Sequence, residues 1–244
     1  MRIHKIPLTC DSRSWLAIVE NFCTQQRSSS LESLESRQQP SNRHHGVVVT
    51  PFAGGYGKEF LDAWKARPGN NAEIVVYGRK VKTARKVCLY GGRGYSFSGN
   101  SLAPRNDCDA PALFARARKA LDTFLGNPDH LSQMDVRTTF NIDTLLVNWY
   151  DSNTRDHIGM HSDNTSALVQ HSPILCVSFG VERRFVLQDK QTKEKTVVWP
   201  RNGDLVIMGG RCQQTHTHGI PPPLKSEPAH GKRISVTARL VLQK

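Results

Sequence analysis

Two periods of apolar residues divide this chain. Leu113, Phe114, Ala117, Leu121, Phe124 and Leu125 recur at the intervals that give an α-helix one apolar face. Asp109-Ala110-Pro111 is a candidate start, with the aspartate as cap and the proline in the first turn, and Gly126-Asn127-Pro128 is the stop. A shorter helix is expected after Gly54-Gly55-Tyr56-Gly57, where Phe60, Leu61 and Trp64 share a face. From position 142 the pattern changes. Residues 142–150, 174–179, 184–188, 196–199, 205–208 and 234–240 are short runs rich in Val, Ile, Leu and Phe, separated by Gly, Asn and Pro, and Asn202-Gly203 is a turn signal between two of them. Further strand signals sit at 47–50 and 74–77. A run of short strands behind a helix-containing start predicts an α+β, mainly β fold: a jelly-roll barrel of the cupin type, whose mouth can house a site, with the long helix buttressing a sheet.

The first 46 residues show no such order. Trp15-Leu16-Ala17-Ile18-Val19 is a weak apolar patch, and the Ser/Gln/Arg-rich stretch from 23 to 43 can bury little surface. Residues 1–46 are therefore expected to form a flexible or weakly ordered extension to one domain over 47–244.

Alternation is clearest near the C-terminus. In a strand, Arg233, Ser235, Thr237 and Arg239 point to one face and Ile234, Val236, Ala238 and Leu240 to the other. The apolar face packs, while the polar face of a closed barrel lines its interior. Two arginines spaced along that face suit opposite ends of a small dicarboxylate. A buried guanidinium without a partner is costly, so an internal carboxylate such as Asp163 is expected to satisfy one of them. Asn148 and Tyr150 share a face of their own strand, and both can donate to a carboxylate.

Charge narrows the class of partner. Lysine plus arginine outnumber acidic residues 33 to 21, a formal net charge of +12, which favours a polyanion. The surplus is concentrated in Gly78-Arg79-Lys80-Val81-Lys82-Thr83-Ala84-Arg85-Lys86, which contains no acid. A solvated face is the plainer reading of such a run. Here, however, Leu89-Tyr90 and Tyr95-Ser96-Phe97-Ser98-Gly99 follow, so cations are interleaved with aromatics able to stack on bases. Six cysteines without a Cys-x-x-Cys pair point away from a zinc ribbon or a disulfide framework and suit a reducing compartment. No apolar run reaches the roughly 18 residues needed to cross a bilayer, and the first 40 residues lack the apolar core of a secretory signal.

The candidate chemistry lies in His161-Ser162-Asp163. Residues two apart in an extended segment present an imidazole and a carboxylate together. A second histidine from a distant strand completes the two-His, one-carboxylate set that holds non-haem Fe(II) on one face and leaves other positions open. His157 and His161 are four apart, as in a helical zinc-protease motif, but Ile158 stands where that chemistry needs a glutamate. His171 has no partner at ligand spacing. His216 and His218 are two apart, and spacing alone does not choose between them.

Taken together, Asn148-Trp149-Tyr150, Asp156 to Asp163, Pro173-Ile174, Ser178-Phe179-Gly180, Arg184-Phe185, Gly203-Asp204 with Met208, His218-Gly219-Ile220-Pro221 and Arg233 to Arg239 resemble, in order and spacing, the AlkB family of Fe(II)- and 2-oxoglutarate-dependent dioxygenases. The resemblance covers residues 74–241 and implies a double-stranded β-helix. It implies iron held by His161, Asp163 and His218, selecting His218 over His216. 2-Oxoglutarate would be held by Asn148, Tyr150, Arg233, Ser235 and Arg239, with O2 as the other reactant. The segment 74–100 resembles the nucleotide-recognition lid of eukaryotic homologues that repair duplex DNA. On that mapping Tyr77 is a wedge in the base stack, and Phe97 stacks on the flipped base with Tyr95 and Ser98 beside it. Arg79, Arg85 and neighbouring cations would grip phosphate. The implied activity is oxidative demethylation of 1-methyladenine and 3-methylcytosine in DNA by a monomeric, non-membrane, nuclear enzyme. One departure stands out: where the repair enzymes carry acidic residues after the metal aspartate, this chain has Asn164-Thr165.

Overall fold

The computed structural model describes residues 3–8, 13–23, 57–76, 78–92, 94–97, 100–136, 140–164, 172–226 and 231–242. The chain begins with β1 (His4–Pro7) and β2 (Ser14–Val19). It continues through α1 (Lys58–Lys65), β3 (Glu73–Val76), β4 (Arg79–Lys82), β5 (Lys86–Gly91), β6 (Tyr95–Phe97) and β7 (Asn100–Leu102). Helices α2 (Ala112–Leu125) and α3 (Pro128–Gln133) lead into β8 (Phe140–Asp151), β9 (Ile158–His161), β10 (Ile174–Gly180), β11 (Phe185–Asp189), β12 (Lys195–Val198) and β13 (Leu205–Gly210). The single turn α4 (Cys212–Thr215), β14 (His216–Ile220) and β15 (Lys232–Leu242) complete it. Seven strands form one antiparallel sheet in the order β1-β2-β13-β10-β15-β8-β5, and four form a second, β12-β11-β14-β9. The hairpins β3–β4 and β6–β7 stand apart from both. This is the expected mainly-β α+β architecture of antiparallel sheets.

The larger sheet is buried on both faces, which is why its strands read as nearly continuous apolar runs. On one face Leu175, Val177, Ile234, Val236 and Ala238 pack against Leu113, Phe114, Ala117 and Leu121 of α2. On the other, Tyr150, Ile174, Cys176, Val206 and Met208 meet Phe185, Leu187, Val198 and Ile220 of the smaller sheet. Burying each such aliphatic or aromatic side chain is worth about 1.5–3 kcal/mol, so the two layers hold the sheet from both sides. Trp149 Nε1 donates to the Ala63 carbonyl at 2.9 Å and thereby fastens α1 as well.

Three expectations change here. Asp109 does not cap α2: residues 107–109 form a 3-10 turn and Pro111 is the N-cap, without a side-chain hydrogen bond. The Gly126-Asn127-Pro128 stop is also a start, since Asn127 Oδ1 accepts from the Asp129 N–H and Pro128 opens α3. The first half of the expected extension is sheet. β2 pairs β13 from Leu205↔Val19 to Gly210↔Ser14, and Leu16 and Ala17 are fully buried. Glycine makes this possible: a Cβ on Gly209 would collide with the Trp15 indole. The rest of the stretch, residues 24–56 with the strand expected at 47–50, lies outside the described residues. Among the described residues, no helix is long and apolar enough to cross a membrane.

Trp15→Ala should lower the unfolding free energy by about 3–5 kcal/mol, read by urea denaturation. A loss below about 1 kcal/mol would show that the N-terminal strand is not part of the cooperative core.

Candidate metal centre and anion cavity

The polar face of β15 and the end of β9 open into one cavity of about 590 Å³. His218 on β14 lies directly opposite His161 on β9, so the two imidazoles meet with centroids 4.4 Å apart. β9 ends at His161, and Asp163 follows in the next loop rather than in the strand, its Oδ1 3.7 Å from His161 Nε2. One ligand atom from each of the three residues lies within 4.8 Å of the others. His161 Nδ1 contacts the Gly159 carbonyl at 2.9 Å. That contact places the ring proton on Nδ1 and leaves the Nε2 lone pair for a metal.

Electrostatics keep the set ready for a cation. Burial works to raise the Asp163 carboxyl, but Arg239, the hydrogen bond with His161 and nearby His218 outweigh it and hold the carboxyl well below the usual carboxylate range. Burial pushes His218 down to about 3, against the opposing pull of Asp163. At neutral pH the site therefore presents an ionised carboxylate and a neutral imidazole, the forms that bind metals.

His216 is turned away from this set. Its Nε2 faces Asp189 Oδ2 at 3.9 Å and its Nδ1 contacts Thr215 Oγ1 at 2.7 Å. His157 contacts the Arg155 carbonyl through Nδ1 and is not among the three.

The anion side is built on β8 and β15, whose register sets Arg233 beside Tyr150 and Ser235 beside Asn148. Arg233 is 1% exposed and Arg239 2%. Arg233 Nη2 donates to Ser178 Oγ at 2.8 Å, and its guanidinium sits 5.3 Å from the Tyr150 ring centre. Arg239 meets Asp163 at 3.4 Å and lies 4.1 Å from the Tyr95 ring centre. Nevertheless, among the described residues, Nε of both arginines and Nη1 of Arg233 have no hydrogen-bond partner, and Arg239 Nη1 has only the 3.4 Å ion pair with Asp163 Oδ2. Buried donors left unmatched are costly, and guanidiniums carrying such donors at two points of one cavity fit the two carboxylates of 2-oxoglutarate. The His–Asp–His donor set likewise fits Fe(II) with open positions.

The remaining predicted residues divide. Tyr95 and Asn164 line the cavity, and the Asn164 N–H donates to Tyr95 Oη at 3.3 Å. Arg79 is exposed on β4, as a phosphate contact requires. Arg85 is a correction: it is 7% exposed, lines the cavity, and its Nε donates to Asn148 Oδ1 at 2.7 Å. It cannot grip phosphate from there. Its hydrogen bond instead fixes the Asn148 amide with Nδ2 free to donate. Phe97 lies on β6, and Tyr77, Ser98 and Thr165 lie outside the described residues.

Two supporting residues had no signal in the sequence. Gln213 Oε1 accepts from the Asp163 N–H at 2.9 Å, and Ser162 Oγ donates to the His216 carbonyl at 2.8 Å. Together they pin the metal loop to α4 and β14.

With this geometry in view, the likeness to known proteins is specific. Residues 58–239 match the family model described as the 2OG-Fe(II) oxygenase superfamily. The chain is 32% identical over 184 residues to the human DNA oxidative demethylase ALKBH2, covering 71% of this chain and 63% of that protein. It is 35% identical to the Mus musculus protein of that name, covering 71% and 69%. The Arabidopsis thaliana protein is 27% identical over 210 residues, covering 75% and 61%. The chain thus spans between 61% and 69% of the length of these relatives. The solved structure of OsALKBH1 superposes with a TM-score of 0.56 at 16% identity, over 98% of this chain and 99% of that one, a likeness of fold.

Gln213→Leu removes the acceptor for the Asp163 N–H and should weaken Mn(II) binding, measured by calorimetry, about 10–100-fold. An unchanged affinity would mean that the loop holds its shape without it. Arg85→Met should raise the dissociation constant for 2-oxoglutarate while leaving Mn(II) affinity unchanged; an equal loss of both would assign Arg85 a general structural role.

Proposed function

Because the chain belongs to the 2OG-Fe(II) oxygenase superfamily, we propose that it is an Fe(II)- and 2-oxoglutarate-dependent dioxygenase that demethylates N-alkylated bases in DNA, 1-methyladenine and 3-methylcytosine among them. The observation that carries this reading is the convergence, in one cavity, of His161, Asp163 and His218 with two buried arginines, each keeping a donor without a hydrogen-bond partner among the described residues. The DNA substrate rests on similarity to relatives named as DNA oxidative demethylases. It also rests on the exposed cations of β4.

His161, Asp163 and His218 would hold the metal, and the bound metal with 2-oxoglutarate and O2 supplies the oxidant that hydroxylates an N-methyl group, with succinate, CO2 and finally formaldehyde as by-products. The chain's own residues do the rest by position. Arg233 and Arg239 neutralise the dicarboxylate from two points of β15. Asn148, held by Arg85, and Tyr150 donate to it from β8, with Ser235 beside them. Arg239 also orients Asp163, so cosubstrate binding and metal geometry share one guanidinium.

Around this core, the double-stranded β-helix is the framework, and the hairpins β3–β4 and β6–β7 form the nucleotide-recognition lid. Arg79, Lys80 and Lys82 on β4 approach phosphates. Tyr77 would fill the gap left by a flipped base, and Phe97 with Ser98 would hold the base itself; extrusion costs least at a damaged, badly paired position. Duplex DNA in the nucleus is the corresponding partner, met by a monomer.

The test supplies Fe(II), ascorbate and 2-oxoglutarate with single- and double-stranded oligonucleotides carrying methylated bases, and measures formaldehyde and base mass. Turnover is expected. None on any DNA, with metal bound, would sink the demethylase reading, and turnover confined to RNA or a protein side chain would replace the substrate. Tyr77→Ala should impair duplex substrates more than single strands; equal losses would count against a wedge. Arg239→Met should weaken 2-oxoglutarate binding by about tenfold to a hundredfold, seen in the dissociation constant under argon.

A further inference from the structure

The wall of the cavity carries a thiol that the chemistry above does not use. Cys176 stands on β10 opposite Thr237 of β15, with Ser178 opposite Ser235 and Gly180 opposite Arg233. Directly opposed residues of an antiparallel pair share a face, so Cys176 belongs to the polar face that Arg233 and Arg239 bracket. Cys176, Thr237 and both arginines line the cavity. Arg233 extends along this face in the direction of Cys176, since its Nη2 reaches Ser178 Oγ at 2.8 Å. Cys176 is a free cysteine, 7% exposed, and packs in one apolar cluster with Tyr150, Phe185 and Met208. Among the described residues no other cysteine lines the cavity: Cys23, Cys88 and Cys212 are buried elsewhere, and Cys108 is exposed.

A buried thiol alone is only packing. What gives this one a ligand is the guanidinium beside it: Arg233 is 1% exposed, and its Nε and Nη1 have no hydrogen-bond partner among the described residues. Donors so placed recruit a carboxylate. A short dicarboxylate held at Arg233 and Arg239 lays its middle carbons along the row of Ser235 and Thr237, which Cys176 faces. The middle carbons of 2-oxoglutarate include no alkene for a thiol to attack. Those of an unsaturated dicarboxylate such as fumarate do.

Resting on the reading of this cavity as a dicarboxylate site, we propose that Cys176 is a covalent modification site for small unsaturated dicarboxylates, which Arg233 and Arg239 seat and whose alkene the thiol attacks. The thiol gives its proton to solvent and attacks as the thiolate. A bond forms between Sγ and one alkene carbon, the π electron pair moves to the neighbouring carbon, and that carbon takes a proton from solvent. Thiol and alkene thus become a thioether, with no leaving group and no oxidant. Seating the two reacting atoms side by side makes the step effectively unimolecular, an advantage the same reagent lacks at a surface cysteine. The adduct leaves a succinyl group tethered between the arginines, where it bars 2-oxoglutarate.

The test incubates the full chain, loaded with Mn(II), with fumarate or with the neutral thiol reagent N-ethylmaleimide, and follows each cysteine by peptide mass spectrometry. Fumarate should label Cys176 at least about tenfold faster than the exposed Cys108, at a rate that saturates with fumarate and falls when 2-oxoglutarate is added. N-ethylmaleimide should reverse the order, with Cys108 first. Calorimetry on the labelled protein should show 2-oxoglutarate binding lost. Arg233→Met should slow fumarate at Cys176 at least about tenfold while leaving N-ethylmaleimide at Cys108 unchanged. Cys23, Cys88 and Cys212 should stay unlabelled in that variant, which reports that it is folded. The proposal is overturned by fumarate labelling Cys108 as fast as Cys176, by no adduct at Cys176, or by a rate at Cys176 indifferent to 2-oxoglutarate. Failure of the dicarboxylate reading itself looks different: calorimetry then finds no 2-oxoglutarate binding to the unlabelled, Mn(II)-loaded protein, and the proposal falls with it.

Discussion

The pairing of Asp163 with Arg239 is the constraint on which the cavity depends. Their side chains are 7% and 3% exposed and approach to 3.4 Å. Isolated, either charge would be expensive to bury. Placed together they join a loop that leaves the smaller sheet to an interior strand of the larger one, tying the two walls of the cavity to each other. The carboxylate gains the ionised form a metal requires, and the guanidinium keeps its Nε without a hydrogen-bond partner among the described residues. Neither half of the site can be described without the other.

How much of this was legible in the sequence depended on whether a residue's role is written in its own neighbourhood. β15 was legible because strict alternation over Arg233 to Arg239 admits one geometry, with an apolar face packed on α2 and a polar face inside. His161, Asp163 and His218 were legible as chemistry, but spacing could not separate His218 from His216. The reason is visible in β11: Leu187 stands opposite His218, whereas Asp189 stands opposite His216 and engages it. β9 and β14 were expected as extended segments only from their histidines and not from an apolar run, because beside one isoleucine each they consist of His, Thr, Gly and Met. β1 and β2 escaped for a different reason, since a weak local pattern is decided by partners far away in the chain.

Arg85 is the instructive misreading. It belongs by composition to a solvated cationic run, and its neighbours on β4 are indeed exposed. Just after that strand the chain dives: Thr83 is 2% exposed, its hydroxyl donating to the Arg85 carbonyl, and Arg85 follows it inward. The His157 N–H donates to the Ala84 carbonyl at 2.8 Å, so the segment that enters the cavity is stitched to the residues leading into β9. Substrate side and metal side are therefore continuous in backbone, with Arg85 reaching on to Asn148.

The docking of β2 has a consequence for how the molecule comes into being. Its register pairs Ser14 with Gly210 and Val19 with Leu205, so β2 has no place in the large sheet until β13, far downstream, has left the ribosome. β1 can fold back on β2 early, but Leu16 and Ala17 lack their sheet partners until β13 is made. Long-range pairing of this kind closes late and slowly, and transiently exposed strand edges invite association in the interval. The hairpin at this edge of the large sheet is thus synthesised well before the strand it docks on and is among the last parts of the sheet to settle.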